Sequence, residues 1–359
     1  MRIGIVTQPL EMNYGGILQN WALQQALRRL GHDPVTIDAY ERYSLPHYLY
    51  SCMQAVIYSI RHGKKLDLPR RYRGSLRKPM TGEFIEQHIT KTHVMWDYQR
   101  SVVKRYRLDA MVVGSDQVWR ARYNWGHIED MYLRFVEGLP LRRVAYAASF
   151  GVDNWEYNPE QTKACARLAQ QMDAISVREP SGVDLCREHL GVEAISVLDP
   201  TMLLQAEDYA ALVDTAPDDQ DNYLAVYCLD ITPAKKDFFE GLARDRGLEV
   251  RYFSAGWYAE VTVPQWLAML SRATMVVTDS FHGTVFSILF GKEFYTLCNP
   301  QRGNTRISGL LEQLGLGQRL ISDTEPTEPA DSSIDWADAH ARLDHRRRES
   351  LAFLENALK

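Results

Sequence analysis

Residues 3–38 read IGIVTQPLEMNYGGILQNWALQQALRRLGHDPVTID, and the spacing of apolar residues in this stretch decides the fold. Residues 3–6 form a short apolar run of strand type. After a turn that contains two glycines, apolar residues recur at helical spacing until Gly31, where the pattern stops. Residues 34–38 then predict a second strand. Strand, helix and strand in this order predict the βαβ unit of a parallel sheet.

The same pattern recurs along the chain in two series. Further strands are predicted at residues 110–113, 144–148, 174–177 and 195–198, and then at 223–227, 250–253 and 275–278. Asp199 and Pro200 separate the series, because a strand does not simply continue into proline. We therefore predict an α/β fold of two Rossmann-like domains that face a cleft, residues 1–198 and 199–334, with the ligand at the carboxyl ends of the strands. The helical pattern over 335–359 leaves open whether the tail packs back on the first domain.

The composition is that of a globular protein, with 45% hydrophobic and 24% charged residues. A formal net charge of -5 offers no basic excess, so nucleic acid is not an expected partner. The start MRIGIVTQP lacks the apolar core of a signal peptide, and no run approaches the ~18–20 apolar residues of a membrane span. Five scattered cysteines without a CxxC pair predict reduced thiols and a cytoplasmic location.

Several sequence motifs that would indicate other chemistry do not occur. The chain has no GxGxxG fingerprint, no Walker A sequence, no HExxH and no GxSxG elbow. Nicotinamide chemistry, metal-dependent hydrolysis and serine hydrolysis are therefore not expected. We predict an enzyme without a metal or a bound cofactor.

One segment permits two interpretations. Residues 48–60 are apolar or amphipathic, and residues 61–78 are dense in arginine and lysine. The plain interpretation is an ordinary helix followed by a solvated loop. The alternative is a peripheral membrane contact through 48–78, which would meet anionic lipid or a diphosphate-linked carrier at the inner membrane face.

Polar residues at the ends of predicted strands are the candidate functional groups. The turn at residues 13–16 either makes a tight connection or turns backbone N–H groups of a helix N-terminus toward an anion, with Asn13 and Tyr14 as side-chain donors. Asp116 suits a general acid or base, a ligand of a sugar hydroxyl, or a helix cap. Arg178 suits a bidentate grip on carboxylate or phosphate, or an ion pair with Glu179 or another acid.

His282 is the sharpest candidate, because it follows a buried-looking strand directly at the start of a helix. The helix dipole favours an anion there, and imidazole transfers protons near neutral pH. A structural histidine is the alternative. Downstream, Asn304 and Arg306 could add donors to the same cleft or lie in a solvated loop.

Five motifs taken together resemble the polysaccharide pyruvyl transferase family. They are NYGGILQNWALQ (13–24), GSDQVW (114–119), SVRE (176–179), VLDPT (197–201) and DSFHGT (279–284), in the family's order. The resemblance implies a GT-B-like glycosyltransferase architecture with its active site between the domains. It also implies transfer of a pyruvyl group from phosphoenolpyruvate to two hydroxyls of a glycan sugar. The product is a cyclic ketal of a bacterial surface polysaccharide, exopolysaccharide or capsule, and the acceptor could be a lipid-linked oligosaccharide.

The resemblance also implies residue roles. His282 would be a phosphate ligand or proton donor, Arg178 would clamp the donor's anionic groups, and Asp116 would orient or deprotonate an acceptor hydroxyl. The substrate-binding residues would be Asn13, Tyr14, Gly15, Gly16, Gln19, Ser115, Ser280, Phe281, Gly283, Asn304 and Arg306. Some branches of the family carry arginine two positions before the histidine, where this chain has Ser280. Arg306, Arg302 or helix N–H groups would then supply the missing positive charge.

Two other functions remain open from the residues. A glycosyltransferase that uses a nucleotide-sugar donor would have the same fold, and Glu293 is a candidate to bind its ribose diol. A non-enzymatic subunit that binds sugar or carrier is the third possibility, although polar residues at so many strand ends argue against it.

Overall fold

The computed structural model describes residues 1–40, 45–62, 66, 79–124, 128–213, 222–254, 261–299, 305–330 and 333–359. These residues form two parallel β-sheets, one in each half of the chain, with helices packed on them. The predicted α/β class with two Rossmann-like halves is therefore confirmed.

The first sheet has six strands in the order β2-β1-β5-β6-β7-β8, and every pairing is parallel. Its strands are β1 (Arg2–Val6), β2 (Asp33–Thr36), β5 (Ala110–Val113), β6 (Arg142–Ala148), β7 (Ala174–Val177) and β8 (Ile195–Ser196). A separate small pair joins β3 (Ala39–Tyr40) to β4 (Met95–Trp96). Because the strands are parallel, their carboxyl ends meet at one edge of the sheet.

The second sheet has five strands in the order β10-β9-β11-β12-β13, again all parallel. Its strands are β9 (Tyr223–Tyr227), β10 (Glu249–Tyr252), β11 (Met275–Thr278), β12 (Glu293–Leu297) and β13 (Leu320–Ile321). The sequence pattern predicted β9, β10 and β11 but not β12 and β13.

The helices follow the strands in the alternation that a parallel sheet requires. They are α1 (Tyr14–Arg29), α2 (Leu45–His62), α3 (Pro79–His88), α4 (Ser101–Tyr106), α5 (Pro159–Ala169), α6 (Pro180–Leu185), α7 (Ala206–Ala210), α8 (Pro233–Arg246), α9 (Val263–Arg272), α10 (Phe281–Leu289), α11 (Thr305–Gln313) and α12 (Trp336–Ala357). Short 3-10 turns lie at Ala121–Tyr123, Ile128–Tyr132, Arg134–Val136, Pro200–Leu203 and Gly317–Arg319, and a π turn at Cys186–Leu190. Of the predicted segment 48–78, residues 63–65 and 67–78 lie outside the described residues.

Helix α1 is buried along almost its whole length because it lies between the two halves. Leu23 and Leu27 pack on the first sheet, in a cluster that includes Ile3. Tyr14 and Leu18 belong instead to a core that continues into the second half. A helix that packs on both halves in this way fixes them against each other.

The connection between the halves and the final helix also contribute to this shared core. Tyr209 of α7 has its ring centroid 5.4 Å from that of Trp21 in α1 and 4.9 Å from that of Phe286 in α10. Helix α12 crosses both halves, since Leu343 packs in the shared core and Leu354 in the cluster of the first sheet.

Candidate active site

The candidate active site lies where loops from the two sheets meet at the carboxyl ends of their strands. Strand β5 leads into Asp116, β7 leads into Arg178, and β11 leads into His282 at the start of α10. The first turn of α1 completes the cluster. Parallel strands place these ends at the sheet edges that face the cleft, as in other α/β folds.

Gly15 and His282 form the closest contact across the cleft. A Cβ atom built on Gly15 would lie 1.9 Å from His282 Nδ1 and 2.2 Å from Cγ, far inside van der Waals distance. Only glycine therefore leaves room for the imidazole at this place. The first turns of α1 and α10 consequently face each other, and both carry backbone N–H groups without intrahelical acceptors.

Arg178 and Asp199 form a fully buried ion pair. Arg178 Nη1 donates to Asp199 Oδ2 at 2.7 Å, and the two side chains expose 1% and 0% of their surface. Asp199 Oδ1 also accepts hydrogen bonds from the backbone N–H and the hydroxyl of Thr201 at 3.0 and 2.6 Å. Burial alone would raise the pKa of Asp199, but Arg178 and His282 outweigh it and lower that pKa. Asp199 is therefore a carboxylate.

Of the three guanidinium nitrogens of Arg178, Nη1 alone donates a hydrogen bond within the described residues. Nη2 lies 3.7 Å from Asp116 Oδ1, which is within ion-pair range but beyond a hydrogen bond. Neither Nη2 nor Nε has a hydrogen-bond partner among the described residues. A buried donor without a partner costs about 1–3 kcal/mol, so this edge of Arg178 has the character of a ligand-binding group.

His282 also has a ring nitrogen without a hydrogen-bond partner, near the carboxylate that pairs with Arg178. Its Nε2 lies 3.8 Å from Asp199 Oδ2 and has no hydrogen-bond partner within the described part of the chain. Burial lowers the pKa of His282 below its ordinary value; Asp199 opposes this shift and Arg178 adds to it. The imidazole is thus neutral at neutral pH in the absence of a ligand, and additional negative charge in the cleft would favour its protonated form.

Asp116 occupies a turn, so the helix-cap role considered from the sequence does not apply. Its backbone has a φ of 70°, a left-handed conformation that is uncommon for residues other than glycine. Oδ1 accepts a hydrogen bond from Gln117 N at 2.8 Å, and Oδ2 accepts one from Asn13 Nδ2 at 3.3 Å. Asp116 exposes 5% of its surface. Its carboxylate thus lies between Arg178 and the loop that precedes α1.

Two arginine side chains lie close to the ring of Phe281. Arg178 Cζ lies 4.4 Å from the ring centroid and Arg306 Cζ lies 5.8 Å from it. Burial and the nearby Arg178 lower the pKa of Arg306 to about 10, which leaves it charged at neutral pH. Ser280 accepts a hydrogen bond from Gly283 N at 3.5 Å and caps α10. Arg306 therefore supplies a positive charge near Phe281, the residue that follows Ser280.

Glu179 is not the partner of Arg178, although it is the adjacent residue. Its Oε1 accepts hydrogen bonds from Phe150 N at 2.7 Å, from Gly151 N at 3.1 Å and from the hydroxyl of Ser149 at 3.1 Å. Glu179 thus holds the loop after β6. The acid that pairs with Arg178 is Asp199, twenty-one positions further along the chain.

Three other candidates lie in the walls of the cleft and have their polar groups occupied. Tyr14 donates its hydroxyl to Val261 O at 2.5 Å and packs on Trp266. Gln19 donates to Thr7 Oγ1 and Gly16 O, both at 2.9 Å, and accepts from Ser115 N at 3.0 Å. Ser115 donates its hydroxyl to Ala147 O and Asp199 Oδ2. These groups connect the loops that carry the cluster.

Of the remaining candidates, Gly16 and Gly283 have close neighbours in the structure, and Asn304 lies outside the described residues. A Cβ on Gly16 would lie 3.2 Å from both Asn13 Nδ2 and Asp116 Oδ2, and one on Gly283 would lie 2.2 Å from Thr278 Oγ1. Both glycines therefore permit close approach of neighbouring groups. Asn304, like Arg302, lies outside the described residues.

Glu293, considered for a ribose diol, does not face the cleft. It is the first residue of β12, and its register with Met275 places it at the amino end of the second sheet. Its Oε1 pairs with Arg319 at 2.5 Å. Ligands in such folds bind at the carboxyl ends of strands, which is the opposite edge. The expectation that Glu293 serves a nucleotide-sugar is therefore wrong.

Sequence reasoning missed Asp199 as a functional candidate. The residue stood in the quoted VLDPT motif, but it was interpreted as the break between two series of strands. An acid at the end of a predicted strand is the signal that could have found it. Among the described residues, no cluster of His, Cys, Asp and Glu is arranged to hold a metal ion.

Comparison with known proteins identifies both a family and a fold. The sequence pattern of the family described as polysaccharide pyruvyl transferase matches residues 13–299. A glycosyltransferase from Rickettsia africae ESF-5 has a TM-score of 0.50 at 10% identity, over 100% of this chain and 99% of that one. A UDP-N-acetylglucosamine 2-epimerase from Rickettsia bellii has a TM-score of 0.49 at 9% identity, over 99% and 96%. No curated protein matches the chain. The first of these structures confirms the predicted GT-B-like architecture and nothing beyond the fold.

Proposed function

Because the chain belongs to the polysaccharide pyruvyl transferase family, we propose that it transfers a pyruvyl group from phosphoenolpyruvate to two hydroxyls of a glycan sugar. The product is a cyclic ketal, made during synthesis of a bacterial surface polysaccharide, exopolysaccharide or capsule. The observation that carries the proposal is that Arg178 and His282 share one oxygen of Asp199, at 2.7 and 3.8 Å, and keep buried nitrogens without a hydrogen-bond partner among the described residues. These nitrogens are Arg178 Nε, Arg178 Nη2 and His282 Nε2. A donor with both a phosphate and a carboxylate requires such groups.

Binding of the donor depends on positive charge and on oriented N–H groups. Arg178 presents two N–H groups in the planar arrangement that matches a carboxylate or phosphate. Arg306 adds a second positive charge near the ring of Phe281. The first turns of α1 and α10 add backbone dipoles that favour an anion. Asp199 orients Arg178 through their hydrogen bond, and its Oδ2 lies 3.8 Å from His282 Nε2.

The first step joins one acceptor hydroxyl to C2 of phosphoenolpyruvate. The hydroxyl oxygen attacks C2 while C3 takes a proton, so that the methylene becomes a methyl group. The negative charge of the bound donor favours the protonated form of His282, and this imidazolium gives its proton to C3. Asp116 accepts the proton of the attacking hydroxyl. Positive charge develops at C2 during this step, and the carboxylates of Asp116 and Asp199 stabilise it.

The second step closes the ketal. The bond between C2 and the phosphate oxygen breaks, and Asp116 returns its proton to the departing phosphate. The second hydroxyl attacks C2 and its proton passes to His282, which is neutral after the first step. One phosphoenolpyruvate and two hydroxyls thus give one ketal and one inorganic phosphate, and both side chains regain their starting protonation.

A transfer experiment tests the proposed function. The purified chain is incubated with phosphoenolpyruvate labelled with carbon-13 at C2 and with lipid-linked oligosaccharides extracted from cells that produce the chain. A ketal carbon resonance on the glycan, with an equal amount of inorganic phosphate, is the expected result. His282→Ala is the matched control and should give neither product. Transfer of sugar from a nucleotide-sugar in the same mixture, with no ketal carbon, would contradict the proposal and indicate a glycosyltransferase.

A further inference from the structure

Helix α2 presents a row of large apolar side chains to solvent. Its exposed apolar residues are Leu49, Tyr50, Met53, Val56, Ile57 and Ile60, with exposed fractions from 37% to 78%. Their spacing of three and four residues places them on one side of the helix. The other exposed large apolar side chains of the described residues are scattered over several elements. A contiguous exposed apolar face marks a surface that contacts a membrane or another protein.

The sequence that follows this face is strongly basic. Residues 61–78 contain eight lysines and arginines and a single acidic residue, in a chain whose formal net charge is -5. Basic residues beside an apolar helix face are the pattern of helices that lie in the surface of an anionic bilayer. Among the described helices none is long and apolar enough to cross a membrane. A helix of this kind can therefore lie in the surface but not span it.

A second copy of the chain is a poorer occupant of the face. A symmetric dimer uses the same patch on both subunits, so each copy in an interface centred on α2 would carry the same excess of basic residues directly after the contacting helix in its sequence. Like charges brought together in this way oppose association. A negatively charged lipid surface, in contrast, complements the basic sequence and covers the apolar residues at once.

We propose that α2 binds to an anionic lipid bilayer, with its apolar face in the boundary between headgroups and acyl chains. In the chain, α2 lies between β3 and α3. Thr81 of α3 donates a hydrogen bond to the carbonyl of Glu11, two residues before Asn13. The chain thus runs from α2 to α3, whose Thr81 contacts the loop that leads into the cleft. That membrane binding serves a lipid-linked acceptor rests on the proposed function, whereas the binding itself does not.

Vesicle flotation with the full chain tests this proposal in the absence of any donor or acceptor. Vesicles of equimolar phosphatidylcholine and phosphatidylglycerol are compared with vesicles of phosphatidylcholine alone. We expect the chain to float with the anionic vesicles and to remain behind with the neutral ones. The double variant Ile57→Ser/Ile60→Ser should bind the anionic vesicles about tenfold less well, because binding scales with the apolar area that is buried. Both residues are exposed, so folding should be unchanged, and circular dichroism checks this.

The matched control is Ile195→Ser/Ile231→Ser, which removes two apolar residues of similar exposure, 49% and 48%, elsewhere on the surface. It should bind like the unaltered chain. Equal binding of the α2 variant, or no binding of the unaltered chain to anionic vesicles, would overturn the proposal. So would light scattering that shows a dimer which the α2 variant converts to a monomer, since that assigns the face to a second copy. None of these results depends on phosphoenolpyruvate, so failure here leaves the proposed function intact, and the reverse also holds.

Discussion

Gly15 in the first half of the chain and His282 in the second are in such close contact that a methyl group on Gly15 would lie 1.9 Å from the imidazole Nδ1. The contact that packs the two halves together therefore also sets the position of the candidate catalytic histidine. Tyr14, the neighbour of Gly15, reinforces it by donating a hydrogen bond to Val261 of the second half. The cleft is thus built at a packed interface rather than on a free loop.

The variant Gly15→Ala should displace His282 and weaken binding of phosphoenolpyruvate by at least about tenfold. Overpacking at a buried contact costs about 1–3 kcal/mol, so a loss of stability in that range should accompany the loss of binding. Calorimetric titration and chemical denaturation measure the two effects. Gly241→Ala is the matched control, because nothing lies within 4 Å of the added Cβ. It should leave binding unchanged and raise stability by up to about 1 kcal/mol. Normal binding in Gly15→Ala would contradict the contact.

Asp199→Asn should lower the pKa of His282 further, because Asp199 raises that pKa more than the other nearby carboxylate, Asp116, does. It also leaves the buried Arg178 without its carboxylate, which should cost about 3 kcal/mol of unfolding free energy. Nuclear magnetic resonance titration of the imidazole measures the first effect and denaturation the second. Asp184→Asn, which breaks the exposed pair with Arg187, is the control and should change neither. An unchanged His282 pKa in Asp199→Asn would refute the assignment of Asp199 as a positioning residue.

Binding of phosphoenolpyruvate should be accompanied by uptake of a proton on His282. Burial lowers the pKa of the free histidine, and a bound anion raises it. Between these two pKa values binding takes up a proton, so affinity should increase as the pH falls through that window and should level off below the pKa of the free histidine. Titrations in buffers of different ionisation enthalpy measure the uptake. In His282→Gln the histidine's share should vanish, while that of the donor's own phosphate remains. Equal uptake in both proteins would contradict the prediction.

Arg306→Gln should weaken donor binding by about tenfold, or about 1.4 kcal/mol, since it removes one of two charges beside Phe281. The loss should shrink as salt is added, because screening reduces the contribution of the charge. Arg187→Gln, which removes an exposed arginine paired with Asp184, serves as the control and should bind normally. Titration over a range of salt concentrations measures both. A variant that loses binding equally at every ionic strength would show that Arg306 acts through structure rather than charge.

The strands that the sequence predicted best are short, continuous apolar runs with polar or glycine boundaries. Strands β5, β7 and β11 lie at the predicted residues, and each is buried throughout or nearly so. Strand β12 was missed because Glu293–Leu297 mixes polar and aromatic residues, and a run of five such residues has no period that distinguishes strand from helix. Its place in the sheet comes from pairing with β11, which is a contact between distant parts of the chain.

The sequence predicts those residues of the candidate site that directly follow predicted strands. Asp116, Arg178 and His282 were named because parallel strands bring their carboxyl ends to one edge, and the structure places them together. The choice of partners could not be anticipated. Arg178 pairs with Asp199 rather than with the adjacent Glu179, because Glu179 is held by the loop after β6. Such choices depend on tertiary contacts that leave no local pattern.

The most direct test of the central claim, that this cleft binds phosphoenolpyruvate through Arg178 and His282, is calorimetric titration of the unaltered chain and of Arg178→Ala. A panel of nucleotide-sugars is titrated in parallel. We predict binding of phosphoenolpyruvate to the unaltered chain, loss of most of that binding in Arg178→Ala, and no binding of nucleotide-sugars. Binding of a nucleotide-sugar without phosphoenolpyruvate would contradict the claim and identify the cleft as that of a glycosyltransferase.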